Sequence, residues 1–237
     1  LNHISKVVVF NKKSKDQNVI QLTNANPNLL IKKIYMKIYH DFQKLLTFKF
    51  IKKYNFFNYS EESRYFNSTL ILKKLDYTPE VLIIHYTSHF INFKVIYELQ
   101  QLTKAKVIFN MLDTAFLTGG CHYSWNCLGY HNKCSDCSAL IIQKNMAMKN
   151  HAFKKYFLNK MHSVQLVASS SWAINQAKMS SLFKNFEKSL IYYPLDETFF
   201  KPRNKKLIRE NLNIPIDKKV IFLGAHQISD PRKGIDF

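Results

Sequence analysis

The cysteines of this chain are Cys121, Cys127, Cys134 and Cys137, spaced C-x5-C-x6-C-x2-C. Thiolates this close in sequence can hold a tetrahedral zinc ion, with sulfur about 2.3 Å from the metal. The terminal Cys-x-x-Cys would supply two ligands from one turn. A disulfide or free buried thiols fit the same residues, and His122 or His131 can replace a thiol that faces away. Four thiolates leave no open coordination position, so a zinc ion here would be structural. Three of the five glycines, Gly119, Gly120 and Gly129, lie in the same stretch. Gly119-Gly120 suits a backbone that comes close to a ligand, and equally a tight turn into the cysteine loop.

Asp113 precedes this loop and follows an apolar run. A carboxylate there can orient a hydroxyl or assist its deprotonation, and it can also cap a turn. His85 ends another apolar run. It can contact a ligand or serve as a hydrogen-bonded histidine without chemistry. Lys233-Gly234 can meet a diphosphate near a helix N-terminus; an ordinary solvated lysine reads the same way.

The elements that must position these groups follow from hydrophobic patterning. Short apolar runs at 6–10, 81–85, 106–112, 165–168 and 189–193 read as strands buried on both faces of a parallel sheet. Helical patterns over 29–54, 92–102, 138–161 and from Trp172 alternate with them, the last capped by Ser169-Ser-Ser171. This order predicts an α/β chain with a Rossmann-like, doubly wound parallel sheet. Loops leaving the carboxyl ends of such strands are where these proteins bind ligands. The expected boundaries are 1–194 for the first domain and 195–218 for a linker. A new unit then opens with a strand at 219–223 and runs to 237.

The formal charge is +19. Residues 1–60 carry eleven lysines against Asp16 and Asp41, so 11 − 2 = +9 lies in a quarter of the chain. Such a field favours an anionic partner. The lysine-rich helix 29–54 carries an apolar stripe of Ile31, Ile34, Tyr35, Ile38, Phe42, Leu45 and Leu46. It can lie on anionic lipid, or pack on the core with a solvated lysine face. Repeated aromatic–basic motifs for nucleic acid are not seen, which counts against that partner. No run of about 18 apolar residues or signal peptide is found. The chain reads as an internal fragment and as cytoplasmic.

These motifs, taken in order, resemble bacterial group-4 glycosyltransferases of the colanic acid and exopolysaccharide type. The resemblance rests first on Leu112-Asp113, Thr118-Gly-Gly-Cys-His-Tyr123 and the later cysteines. Ile84-His-Tyr86, Ser170-Ser-Trp172, Tyr193-Pro-Leu-Asp196 with Phe200-Lys-Pro202, and Phe222-Leu-Gly-Ala225 through Arg232-Lys-Gly234 extend it over nearly the whole chain. It implies the GT-B fold: an acceptor domain, lacking its first strand here, and the start of a nucleotide-sugar domain. It implies a nucleotide-sugar donor, a saccharide or lipid-linked acceptor met peripherally at the inner face of the cell membrane, retention of anomeric configuration and no catalytic metal. It assigns catalysis to Asp113, acceptor binding to His85, Thr118, Gly119, Gly120, His122 and Tyr123, and donor binding to Lys233 and Gly234. Leu112 stands where the family usually has histidine, and Ala225 where the group often has arginine. A degenerate transferase, or a zinc-stabilised basic module without catalysis, is the alternative.

Overall fold

In the computed structural model the chain divides into two compact units, residues 1–192 and 193–237. The structure describes residues 3–22, 31, 34–35, 37–38, 41–42, 61, 66–88, 90–140, 145–225 and 230–234.

The first unit is α/β, with parallel strands throughout. Strands β1 (Val7–Val9) and β2 (Val19–Gln21) form a parallel pair of their own. The larger sheet contains β3 (Val81–Ile84), β4 (Lys106–Met111), β5 (Val164–Ala168) and β6 (Glu187–Leu190), side by side in that order and all parallel. The run at 6–10 therefore forms a strand, but it pairs with β2 outside the larger sheet. The run at 189–193 starts its strand earlier and leaves it after Leu190. Beyond that point Ile191, Tyr192 and Tyr193 are exposed.

Helix α1 (Ser68–Leu75) precedes β3, and α2 (Phe93–Thr103), α3 (Met146–Leu158) and α4 (Ser171–Met179) connect successive strands. Three starts are fixed by capping side chains. Asn67 accepts from the Leu70 amide, Asn92 from Val95, and Ser170 from Ala173. Each cap satisfies an amide that has no partner within its helix. The expected helix 138–161 is shorter at both ends, Met146–Leu158, and residues 141–144 lie outside the described set.

Burial alternates along the central strands. Val107, Phe109 and Met111 of β4 and Val164, Leu166 and Ala168 of β5 are buried, and the four residues between them, Ile108, Asn110, Gln165 and Val167, are half-buried. The strand order does not reverse among the described strands. Right-handed crossovers taken in one direction place their helices on one face. The other face is more open, with Val81 and Ile83 exposed. This corrects the expectation of strands buried on both faces. The covered face carries an aromatic cluster in which Phe109 lies 5.3 Å from Phe93 and 5.2 Å from both Phe116 and Phe183. Buried Gln100 ties the starts of two strands together, accepting from the His162 amide at 3.1 Å and donating to Ala105 O at 3.2 Å.

In the second unit, α5 (Lys205–Asn211) starts at an Asn204 cap. The expected strand at 219–223 is not formed, and Ile221 and Phe222 are exposed. A strand needs a neighbour for its backbone groups, and none is described beside it. Of the expected helix 29–54, residues Ile31, Ile34, Tyr35, Lys37, Ile38, Asp41 and Phe42 are helical and exposed. The rest of that range lies outside the described residues.

Candidate functional site

Strand β4 delivers the chain to the carboxyl edge of the sheet, where it becomes Leu112-Asp113. One carboxylate oxygen of Asp113 accepts from the Ala115 amide at 2.8 Å and opens a 3-10 turn, Ala115–Leu117. The other lies 2.7 Å from His122 Nδ1. The capping role and the site role are thus carried by the two oxygens of one side chain. The His122 carbonyl accepts from the Thr114 amide at 3.0 Å, which holds the loop so that the ring reaches Asp113.

The far side of the His122 ring meets the loop after β3. Ser88 Oγ lies 3.2 Å from His122 Nε2. With Asp113 accepting from Nδ1–H, Nε2 of the neutral ring can accept from the Ser88 hydroxyl. Carboxylate, imidazole and hydroxyl therefore form one relay, with the imidazole buried at 5% exposure. The Tyr86 ring lies 5.6 Å from the His122 ring. Burial raises the Tyr86 phenol above its ordinary range and the Asp113 charge adds to this, while the Ser88 hydrogen bond works against it. His85, one residue past β3, stands at the same edge and is exposed. Its Nδ1 lies 2.9 Å from Asn110 Nδ2.

Beneath the relay the Thr118-Gly119-Gly120 backbone is packed rather than presented. Thr118 Oγ1 donates to Cys121 O at 2.7 Å and accepts from the Gly120 amide at 3.2 Å. A Cβ at Gly119 would sit 2.0 Å from the Ala147 carbonyl oxygen. The close approach that demands glycine is therefore to α3. All three residues are buried.

That backbone rests on a buried charge pair. Lys154 of α3 is 1% exposed; its Nζ lies 2.8 Å from a Glu61 oxygen and donates to Ala115 O at 2.8 Å and Thr118 O at 2.9 Å. Asn150, one turn earlier, donates to Gly119 O and accepts from the Glu61 amide, both at 3.1 Å. Buried charge is tolerated when it is paired and fully hydrogen-bonded, as here.

Beside the relay stands an aromatic surface. Tyr123 meets Trp125 edge-on at 4.9 Å and lies near-parallel to Trp172 at 6.3 Å, with Trp172 about half exposed.

The four cysteines are free thiols. Cys121 hydrogen-bonds Cys137; that bond, with burial, raises Cys121 well above the thiol range. The same bond, helped by the Ala139 and Leu140 amides, lowers Cys137 to about 7. Burial raises Cys134 to about 11, although Gly119 N–H, which donates to its sulfur at 3.2 Å, works the other way. Gly129 N–H donates to Cys127 Sγ at 3.4 Å. Among the described residues, no group of three or more His, Cys, Asp or Glu side chains is closed around a metal position.

In the second unit Lys233 ends a 3-10 turn, Pro231–Lys233, and is exposed, with Gly234 following at φ 64°. Arg232 Nε donates to both Asp230 oxygens, at 3.0 and 3.1 Å, and the guanidinium lowers that carboxyl to about 2. Ser88, Lys154, Glu61 and Asn150 were not marked by any sequence motif. Trp172 was marked only within Ser-Ser-Trp. Among the described residues no helix is long and apolar enough to cross a membrane. Comparison with family models, curated proteins and solved structures finds no match for this chain.

Proposed function

We propose that the first unit is the acceptor-binding part of a GT-B glycosyltransferase, and that the second unit begins the part that holds a nucleotide-sugar donor. The observation that carries this reading is the Asp113–His122–Ser88 relay at the carboxyl edge of a parallel sheet, beside the Tyr123–Trp172 pair. A sugar offers hydroxyls to hydrogen-bond and apolar C–H faces to cover an aromatic ring. His122 Nε2 is the atom placed to accept from an acceptor hydroxyl that takes the place of Ser88. Asp113 acts through His122 as a positioning residue, a narrower role than direct contact with the acceptor.

The four-strand order is that of one half of a doubly wound sheet, which supports the Rossmann-like reading. In this reading Lys233 offsets diphosphate charge on the donor. The exposed apolar residues from Ile31 to Phe42, with the lysines among them, rest on anionic lipid and bring a lipid-linked acceptor within reach.

The chain has two tryptophans, Trp125 and Trp172, so its emission reports on this surface. Saccharides drawn from exopolysaccharide repeat units should change that emission saturably. Trp172→Phe should remove most of the change. Emission that no saccharide perturbs, with the fold intact, would count against the acceptor site.

A further inference from the structure

We propose that Ser88, His122 and Asp113 form a nucleophile–base–carboxylate triad that hydrolyses carboxylic esters of small acyl groups, with Ser88 as the nucleophile. Ester hydrolysis by these residues is independent of the transferase reading.

The order of the contacts carries it. Ser88 Oγ lies 3.2 Å from His122 Nε2, and Asp113 Oδ2 lies 2.7 Å from His122 Nδ1. A serine hydroxyl is a weak nucleophile by itself. It becomes effective beside a base that a third group holds in place. Here Asp113 holds the proton on Nδ1, so the lone pair of Nε2 faces Ser88. The same carboxylate stabilises the imidazolium that forms when Nε2 takes the serine proton. The His122 side chain is only 6% exposed, and a buried setting strengthens both hydrogen bonds.

The nucleophile is placed by a pinned loop. Ser88 lies past the end of β3, on the way to α2. Just before it, the Thr87 carbonyl accepts from the Phe90 and Ile91 amides at 3.0 and 3.1 Å. Thr87, Ile91 and Asn92 are buried, whereas Ser88 is half-buried and within reach of a ligand. His122 and Asp113 come from the loop after β4, so two strand ends bring the triad together at one edge of the sheet.

Tyr86 completes the site. Its ring stands 5.6 Å from the His122 ring and closes one side, which favours a short acyl chain. Burial keeps its phenol protonated. That phenol is the donor placed to meet the oxyanion formed when Ser88 adds to a carbonyl. An alcohol leaves more easily than an amine, so esters fit this site better than amides.

In the first step Ser88 Oγ bonds to the acyl carbon and its proton passes to Nε2. The bond to the ester oxygen then breaks, and the alcohol leaves with that proton. Water next bonds to the acyl carbon and gives a proton to Nε2. The bond to Ser88 Oγ breaks, Ser88 regains a proton from Nε2, and the carboxylic acid departs.

The test treats the whole chain with a phosphonofluoridate, which an activated serine attacks with loss of fluoride, and locates the adduct by peptide mass. Hydrolysis of p-nitrophenyl acetate is followed in parallel. The expected result is an adduct on Ser88 and saturable ester turnover. Ser88→Ala should abolish both, and His122→Gln should slow both by roughly a hundredfold to ten-thousandfold. Asp113→Asn keeps an oxygen for the Ala115 amide but cannot hold the proton on Nδ1. It should slow labelling by about a hundredfold or more, and Asp113→Glu should recover part of the rate. Where a variant does not fold, the unaltered chain decides: the Ser88 adduct should form in the native chain and be lost in urea. No adduct in the folded chain, an adduct on another residue, equal labelling in urea, or labelling unchanged in folded His122→Gln would overturn the triad. No saccharide enters these assays, so their failure leaves the acceptor site to be judged by its own titration.

Discussion

His122 Nδ1 lies 2.7 Å from Asp113 Oδ2, and the contact spans a loop that Thr118 closes onto the carbonyl of Cys121. The histidine that meets Asp113 thus comes from within the Thr-Gly-Gly-Cys-His-Tyr block. It does not come from position 112, where the chain carries an exposed leucine. On the proposed reading, His122, ten residues later, supplies the polar group that Leu112 lacks. Restoring Leu112→His should therefore give little gain in saccharide affinity. A large gain would show that His122 does not fill that role.

Lys154→Met should lower the unfolding free energy by about 3–5 kcal/mol, because it removes the ammonium that pairs with the buried Glu61 carboxylate. Lys154→Met combined with Glu61→Leu should recover part of that loss, because both charges of the buried pair are then removed together. Denaturant unfolding of the single and double variants measures both. A double variant worse than the sum of its singles would refute the pairing.

Gly119→Ala should destabilise by about 1–3 kcal/mol or more, since its methyl would overlap the Ala147 carbonyl of α3. Gly129→Ala should cost less, because its added Cβ makes only ordinary contacts, 3.4 Å from Cys127 Sγ at the nearest. Thermal melts of the two variants should separate clearly. Equal costs would mean that the loop does not pack on α3 as described.

His151 is buried against Ser181, and burial, with Lys154 and Lys155 nearby, lowers its pKa from 6.5 to about 4. The folded protein keeps this ring neutral where the unfolded chain protonates it. The sign is therefore a stability unaffected above about pH 6.5 that falls as the pH drops towards 4, by at most about 3 kcal/mol. His151→Gln should flatten that part of the pH–stability curve. A curve of unchanged slope would remove His151 as the cause.

The chain should co-float with vesicles of anionic phospholipid and not with neutral ones, and added salt should release it. Replacing Ile34 and Ile38 by serine should weaken this, since both are exposed on the helical segment. Salt-insensitive or charge-independent flotation would contradict the membrane reading.

The sheet was legible where apolar runs are short and bounded. The strands at 81–84, 106–111 and 164–168 lie within a residue of their patterns. The register of 189–193 was not, because an edge strand buries little and its apolar tail continues past the last paired residue. The pairing of β1 with β2 was hidden as well, since Val19–Gln21 is too short to stand out between polar loops. In the site, Asp113 and His122 were readable as residues of a motif. Their contact was not, because it depends on how Thr114 and Thr118 fold the intervening loop. Ser88 and Lys154 left no trace in sequence, since serine is common in loops and a buried lysine looks like any helical lysine. The glycine pair was visible, but only packing showed that Gly119 answers to Ala147.

The central claim is that the Asp113–His122 pair presents Nε2 to a sugar hydroxyl. The most direct measurement is saccharide titration of Asp113→Asn and His122→Gln, followed by tryptophan emission, with unfolding curves as controls. A lost hydrogen bond to a charged or polarised group costs about 1.5–3 kcal/mol, which is roughly a tenfold to hundredfold rise in Kd. The account predicts a rise of that size for both variants, with the fold intact. Unchanged affinity in both variants, while Trp172→Phe still silences the signal, would contradict it.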